Sequence, residues 1–135
     1  MYGVCGAAAA PVEKGIVTIL VVDDEADVRT LFEQRFRKEV RAGKVTFFFA
    51  HSGEDALAFL ATHEGAVLIL SDINMPGMSG LELLRAVKER YPQLKVFMVT
   101  AYDNEEYHRK AVAYGCDDYL TKPIDFGLLR ERLLA

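Results

Sequence analysis

The sequence is poor in cysteine, and neither cysteine lies in a pattern that binds metal. Cys5 and Cys116 are the only two. They lie far apart, and neither belongs to a Cys-x-x-Cys or to a Cys/His pair at zinc-ligand spacing, which excludes a disulfide-stapled scaffold and a zinc module. His51, His63 and His108 are too scattered to mark a metal site. No apolar run is long enough to span a bilayer. Residues 1–15 lack both the basic start and the long apolar core of a secretory signal. These absences predict a reduced, cytoplasmic protein with no membrane role. Also missing are an internal repeat, a low-complexity linker and a Gly-rich phosphate loop. The net charge of −4 offers little to nucleic acid. Arg35, Arg37, Lys38, Arg41 and Lys44 form a local basic cluster that reads as a solvated helix end and loop.

What is present suits one α/β domain. A chain of 135 residues, 51% hydrophobic and 27% charged, can bury a core without staples. From Ile16 onward short apolar runs alternate with amphipathic segments, the pattern of βα units on a parallel sheet. Strands are predicted at 17–22, 45–50, 67–71, 96–100 and around Tyr119-Leu120. Between them the helical stripes are Val28, Leu31, Phe32 and Phe36, then Ala56, Leu57 and Leu60, then Leu81, Leu84, Val87 and Tyr91, each expected to face the sheet. A fourth helix is predicted over 104–114, capped by Asp103 or Asn104 and stopped at Gly115. The last starts near Ile124 and offers Leu128, Leu129 and Leu133 for burial before Ala135, which reads as a helix cut from a longer one. Residues 1–15 are expected to be a flexible extension and 16–135 the domain.

The chemistry gathers at strand ends. In "LSDINMPGMSG" Asp72 follows an apolar run, and Ser79 with Glu82 makes a capping box for the next helix, so the acid occupies a strand-to-helix connection. Open α/β sheets bind ligands at such places. The first strand finishes at Asp23 and Asp24, the fourth at Thr100, and Lys122 follows the fifth. Three converging carboxylates repel unless a cation compensates, and a hard divalent ion with oxygen ligands fits. Lys122 makes sense beside them as a point charge for a phosphoryl group. A nucleophile, a metal and fixed donors are the parts needed to transfer a phosphoryl group to a carboxylate.

The motifs "VVDDE", "LSDINMPGMSG", "MVTAY" and "YLTKP", in that order and each at a strand end, resemble those of the receiver domain of bacterial response regulators. The resemblance covers residues 16–135. It implies a (βα)5 flavodoxin-like, doubly wound parallel sheet with strand order 2-1-3-4-5. It further implies that Asp72 is the phosphoacceptor, and that Asp23, Asp24, Asp72 and the backbone carbonyl of Asn74 hold Mg²⁺ or Mn²⁺. Thr100 and Lys122 would bind the phosphoryl group, Ala101 would leave room beside it, and Tyr119 would be the switch aromatic. Pro123 matches a proline whose preceding peptide bond is cis in the family, and Tyr102 would lean over the pocket and slow hydrolysis. The partners implied are a sensor histidine kinase or phosphotransfer protein, with an output domain in cis, a protein partner or a second copy on the face of the fourth helix, fifth strand and fifth helix. No turnover of an external substrate is implied.

Two other readings compete. A phosphatase of the haloacid dehalogenase type also forms an aspartyl phosphate, but its nucleophile lies on the first strand in a DxD motif, where this chain has Asp23-Asp24-Glu25. A receiver-shaped scaffold that no longer accepts phosphate would not need all five site residues. Individually, Asp24 could simply cap the first helix, and Phe47-Phe48-Phe49 reads as core packing with one exposed ring. Met75 and Met78 read as loop packing.

Overall fold

The computed structural model of the chain describes residues 12–13, 16–63, 65, 67–101 and 104–134. Its strands are β1 (Val12–Glu13), β2 (Ile16–Val22), β3 (Val45–Ala50), β4 (Leu68–Asp72), β5 (Lys95–Thr100) and β6 (Asp118–Thr121). Its helices are α1 (Asp27–Arg35), α2 (Arg37–Arg41), α3 (Gly53–Thr62), α4 (Gly80–Arg90), α5 (Glu105–Ala113) and α6 (Phe126–Leu134).

The parallel strands run β3-β2-β4-β5-β6, which is the expected 2-1-3-4-5 when the parallel strands alone are counted. Residues alternate across the sheet and feed two cores. On one face Leu20, Ile69 and Met98 meet Leu60, Leu84, Val87 and Ala111 from α3, α4 and α5. On the other, Ile19, Leu70 and Phe97 meet Phe32 and Phe36 from the first helical segment and Leu129 and Leu133 from α6. All five residues of β4 are buried, as expected for the middle of a parallel sheet covered on both sides.

Several expectations need correction. Val12 and Glu13, assigned from sequence to the flexible extension, pair antiparallel with Val17 and Ile16. Leu31 and Leu128 do not face the sheet; they are 39% and 37% exposed. The aromatic cluster explains Leu31, because Phe32 and Phe36 stack at 6.1 Å while Phe32 meets Phe47 and Phe126 edge-on at 5.6 and 5.4 Å. That cluster rotates α1 until Leu31 lies on its flank. Leu129 and Leu133, one turn apart, do the same to Leu128. The first helical segment also breaks at buried Phe36, which leaves helical geometry at φ −112°. Phe47, Phe48 and Phe49 are all half-buried, with Phe48 packed on Phe59 rather than a single ring standing free.

The α4 end of the β4–α4 connection is tightly built. The Ser79 hydroxyl accepts from the Glu82 amide at 3.2 Å and the Glu82 carboxylate accepts from the Ser79 amide at 3.0 Å, closing the expected capping box. The Gly80 amide donates to the Ile73 carbonyl at 2.7 Å. A Cβ on Gly80 would lie 2.0 Å from the Asp72 carbonyl oxygen and 2.7 Å from the Ile73 Cα, both backbone atoms that cannot swing away. At Gly43, whose φ is +71°, a Cβ would meet nothing within 4 Å, so only the left-handed backbone opposes a side chain there. Gly80→Ala is therefore expected to cost about 3 kcal/mol or more, against about 1 kcal/mol for Gly43→Ala. Urea unfolding at constant m reads both, and a Gly80→Ala midpoint equal to the wild type would contradict the close approach.

Candidate functional site

The site lies at the C-terminal edge of the parallel strands. Asp23 follows β2, with its amide donating to the Ala50 carbonyl at 3.1 Å and its Oδ1 accepting from the Glu25 amide at 2.9 Å. The side chain is thereby held at the turn into α1 and left only 8% exposed. Asp24 is exposed and does not cap α1. The cap position belongs to Ala26, which makes no side-chain bond. Asp72 is the last residue of β4, in register with Val99 of β5, and is 7% exposed. Its sequence-based placement just beyond the strand is corrected by one residue.

Asp23, Asp24 and Asp72 each offer a carboxylate oxygen, and these oxygens lie within 4.8 Å of one another. Lys122 reaches in from the loop between β6 and α6. Its Nζ is 3.4 Å from Asp23 Oδ2, 3.5 Å from Asp72 Oδ2 and 3.8 Å from Glu25 Oε1. Its amide donates to the Thr100 carbonyl at 2.7 Å, and the Lys122–Pro123 peptide bond is cis. Thr100, fully buried at the end of β5, stands one strand over from Asp72 and is followed by exposed Ala101. Tyr102 lies outside the described residues.

Burial pushes the Asp72 carboxyl above the usual carboxylate range. Lys122 draws it down, Asp23 pushes it further up, and a hydrogen bond with the Asn74 backbone draws it down again; the balance stays upward. For Lys122 burial alone would favour the neutral amine, but the charges of Asp23 and Asp72, with a hydrogen bond to Asp23 and the more distant Glu25, outweigh it and hold the ammonium firmly charged. The pocket thus keeps its cation while one carboxylate is reluctant to ionise. An all-oxygen, anionic donor set with one exposed member fits a hard divalent cation.

Tyr119 is half-buried on β6 and stacks on His108 of α5, with ring centroids 4.4 Å apart and planes 21° from parallel. Met75 is buried in the loop after Asp72. The sequence reading gave Glu25 no role, although it was visible as the last residue of "VVDDE". It also missed a groove of about 560 Å³ that opens from the acid pocket between α1 and the β6–α6 loop. No short motif marks a groove formed by four separate segments.

Residues 19–134 match the family described as Response regulator receiver domain. The response regulator protein PilR of Pseudomonas aeruginosa is 38% identical over 115 residues, covering 83% of this chain and 24% of that protein. The DNA-binding transcriptional regulator NtrC of Salmonella typhimurium is 42% identical over 113 residues, covering 84% and 23%. A Thermotoga maritima protein named cyclic di-GMP phosphodiesterase is 33% identical over 117 residues, or 30% of its length. The chain thus spans about a quarter of the length of the curated relatives it matches. Among solved structures, the chemotaxis protein CheY4 of Vibrio cholerae superposes with a TM-score of 0.74 at 28% identity, over 86% of this chain and 94% of that one. The response regulator TrrA of Thermotoga maritima, solved with Mg²⁺ and BeF, gives 0.71 at 32% identity over 84% and 93%. Ordered strand-end motifs, a 2-1-3-4-5 sheet and this match over nearly the whole chain agree, and the chain belongs to the receiver domains of two-component response regulators.

Proposed function

We propose that Asp72 accepts a phosphoryl group from a phosphohistidine on a sensor histidine kinase or phosphotransfer protein, or from a small phosphodonor, and that this switches the surface formed by α5, β6 and α6. The observation that carries the proposal is the convergence of Asp72 with Asp23, Asp24 and Lys122 in one pocket. In the transfer a carboxylate oxygen of Asp72 forms a bond to phosphorus as the bond to the imidazole nitrogen breaks, and the imidazole keeps the electron pair. Asp23, Asp24, Asp72 and the Asn74 carbonyl would hold Mg²⁺ or Mn²⁺, which when bound neutralises charge on the phosphoryl oxygens. Lys122 would turn from the carboxylates to the phosphoryl group, and the Thr100 hydroxyl would donate to it. Ala101 keeps the entrance open, Pro123 fixes the chain behind the lysine, and Tyr102 would hinder water.

As Thr100 moves toward the new acceptor oxygens, Tyr119 would leave His108 and fill the space behind it. The changed face is then read by an output domain in cis, a protein partner or a second copy, whichever binds that shape more tightly. The domain acts in the cytoplasm on itself alone, through its own phosphorylation and hydrolysis, and touches neither nucleic acid nor lipid directly. Among the described residues no helix is long and apolar enough to cross a membrane.

Intact-mass measurement after incubation with acetyl phosphate and Mg²⁺ should show one phosphoryl adduct on the wild type and none on Asp72→Asn; an undiminished adduct on the variant removes Asp72 from the role. The same variant should melt at a higher temperature than the wild type in EDTA at neutral pH. The sign follows from linkage. A carboxyl raised in the fold binds its proton more tightly there, so stability is full below the unfolded pKa and falls as pH rises through the folded one. An amide escapes that loss.

Mg²⁺ at a hundredfold over its Kd should stabilise the wild type by about 2.7 kcal/mol. Asp23→Ala combined with Asp24→Ala should abolish most of the gain. Equal Mg²⁺ stabilisation of both proteins in thermal melts would mean that these two acids hold no ion.

A further inference from the structure

The groove beside the acid pocket has two chemically different ends. Asp23, Glu25, Asp72 and Lys122 line it at the acid site, and away from them its lining is mainly apolar, from Val28, Leu31, Phe32, Ile124 and Phe126, with Arg35 and Asp125 among them. Leu31, which a sheet-facing stripe would have buried, is 39% exposed on this wall. Phe126 is half-buried there and carries the Arg35 guanidinium 5.3 Å from its ring centroid. The whole space is about 560 Å³, within the range of small-molecule sites, and an apolar cavity of about 150 Å³ already accommodates a benzene ring.

We propose that this apolar end binds the leaving group of a small phosphodonor, so that the domain prefers acyl phosphates carrying an aromatic or branched aliphatic acyl group to acetyl phosphate. The inference rests on Asp72 being the phosphoacceptor and adds the substrate class. Its support is continuity and complementarity. One cavity joins a metal-competent end, where Lys122 and a cation held by the carboxylates would suit a phosphoryl dianion, with an apolar lining wider than an acetyl methyl covers. In the step, an Asp72 carboxylate oxygen forms a bond to phosphorus while the bond from phosphorus to the acyl oxygen breaks. The departing carboxylate keeps the electron pair, no proton is transferred, and total charge is conserved between acyl phosphate plus carboxylate and carboxylate plus aspartyl phosphate. The apolar wall would hold the acyl group while the phosphoryl group lies at Lys122, an orienting contribution of the kind that places a reactant for attack.

The test compares second-order phosphorylation rates with benzoyl phosphate and acetyl phosphate, in Mg²⁺, for the wild type and for Leu31→Gln. The wild-type ratio should exceed the Leu31→Gln ratio roughly tenfold, the order expected from removing the apolar contact of a ring. Intrinsic donor reactivity cancels between the two proteins, so the change in ratio reports the wall alone. Independently of turnover, titration with benzoate in EDTA should shift the amide resonances of Val28, Leu31 and Phe126 in the wild type and not in Leu31→Gln. Equal ratios for the two proteins, or benzoate shifts confined to residues away from the groove, would overturn the inference and leave the groove to side chains of a protein phosphodonor. Failure of both donors to label wild-type Asp72 would instead remove the phosphoacceptor reading itself.

Discussion

Three carboxylates whose oxygens lie within 4.8 Å of one another repel, and a fold that holds them there must supply rigid anchoring and compensating charge. The anchoring comes from the sheet. Asp72 terminates β4, the one parallel strand buried along its whole length, and is fixed by ladder pairing to Val99, while the Asp23 amide is tied to Ala50 at the end of β3. Neither backbone can relax away from the other without breaking parallel ladders that two apolar cores hold closed. The compensating charge comes from Lys122, delivered by a loop whose first amide is bonded to the last residue of β5. Asp24, exposed at the mouth, leaves the cluster open to solvent and so to a cation.

The same constraint explains features remote from the acids. The approach of α4 to β4, so close that Gly80 admits no side chain, sets the length and path of the loop that leaves Asp72. On the far edge Lys88 of α4 donates to the Leu94 carbonyl at 2.8 Å and to Asp117 Oδ2 at 2.9 Å, while Asp117 also accepts from the Val96 amide at 2.8 Å. This half-buried clamp joins α4 to the starts of β5 and β6, the strands that carry Thr100 and Tyr119. Arg130 does similar work behind the groove, donating to Glu39 at 2.9 Å and to the Arg35 carbonyl at 2.7 Å, so α6 is fastened to both α1 and α2.

Much of this was legible in the sequence because apolar runs and strand-end acids are local signals. Asp23, Asp24, Asp72 and Lys122 fall where five βα units must place them, at one edge, and the capping box at Ser79 marks the start of α4 to the residue. Strand order was a different matter. Periodicity finds strands but does not rank them, so the order came from the resemblance. Burial at the helix flanks was misread because a helical stripe is about 100° wide and does not say which residue lies at its centre. Leu31 lost that place to Phe32 and Phe36, whose partners Phe47 and Phe126 come from distant segments. Pairing of Val12 and Glu13 with β2 was hidden because two residues carry no alternation. The Lys88–Asp117 clamp joins residues whose separation in sequence has no motif.

The groove and the switch face share one segment of chain, and that has a mechanical consequence. Lys122 sits between Tyr119, three residues before it on β6, and Ile124 and Phe126, which wall the groove two and four residues after it. A lysine drawn from the carboxylates toward a phosphoryl group pulls on a short loop anchored at one end by the Thr100 carbonyl and at the other by the Leu129 amide bonded to the Asp125 carbonyl. With both ends held, displacement has to be absorbed between residues 122 and 126, where Pro123 restricts the backbone. Any group seated against Ile124 and Phe126 therefore biases where the lysine rests, and the lysine's position in turn alters the wall that such a group meets. By linkage the two effects have equal free energy. The proposed donor recognition and the charge compensation at the proposed phosphoacceptor would, in this arrangement, be two readings of the position of a single loop.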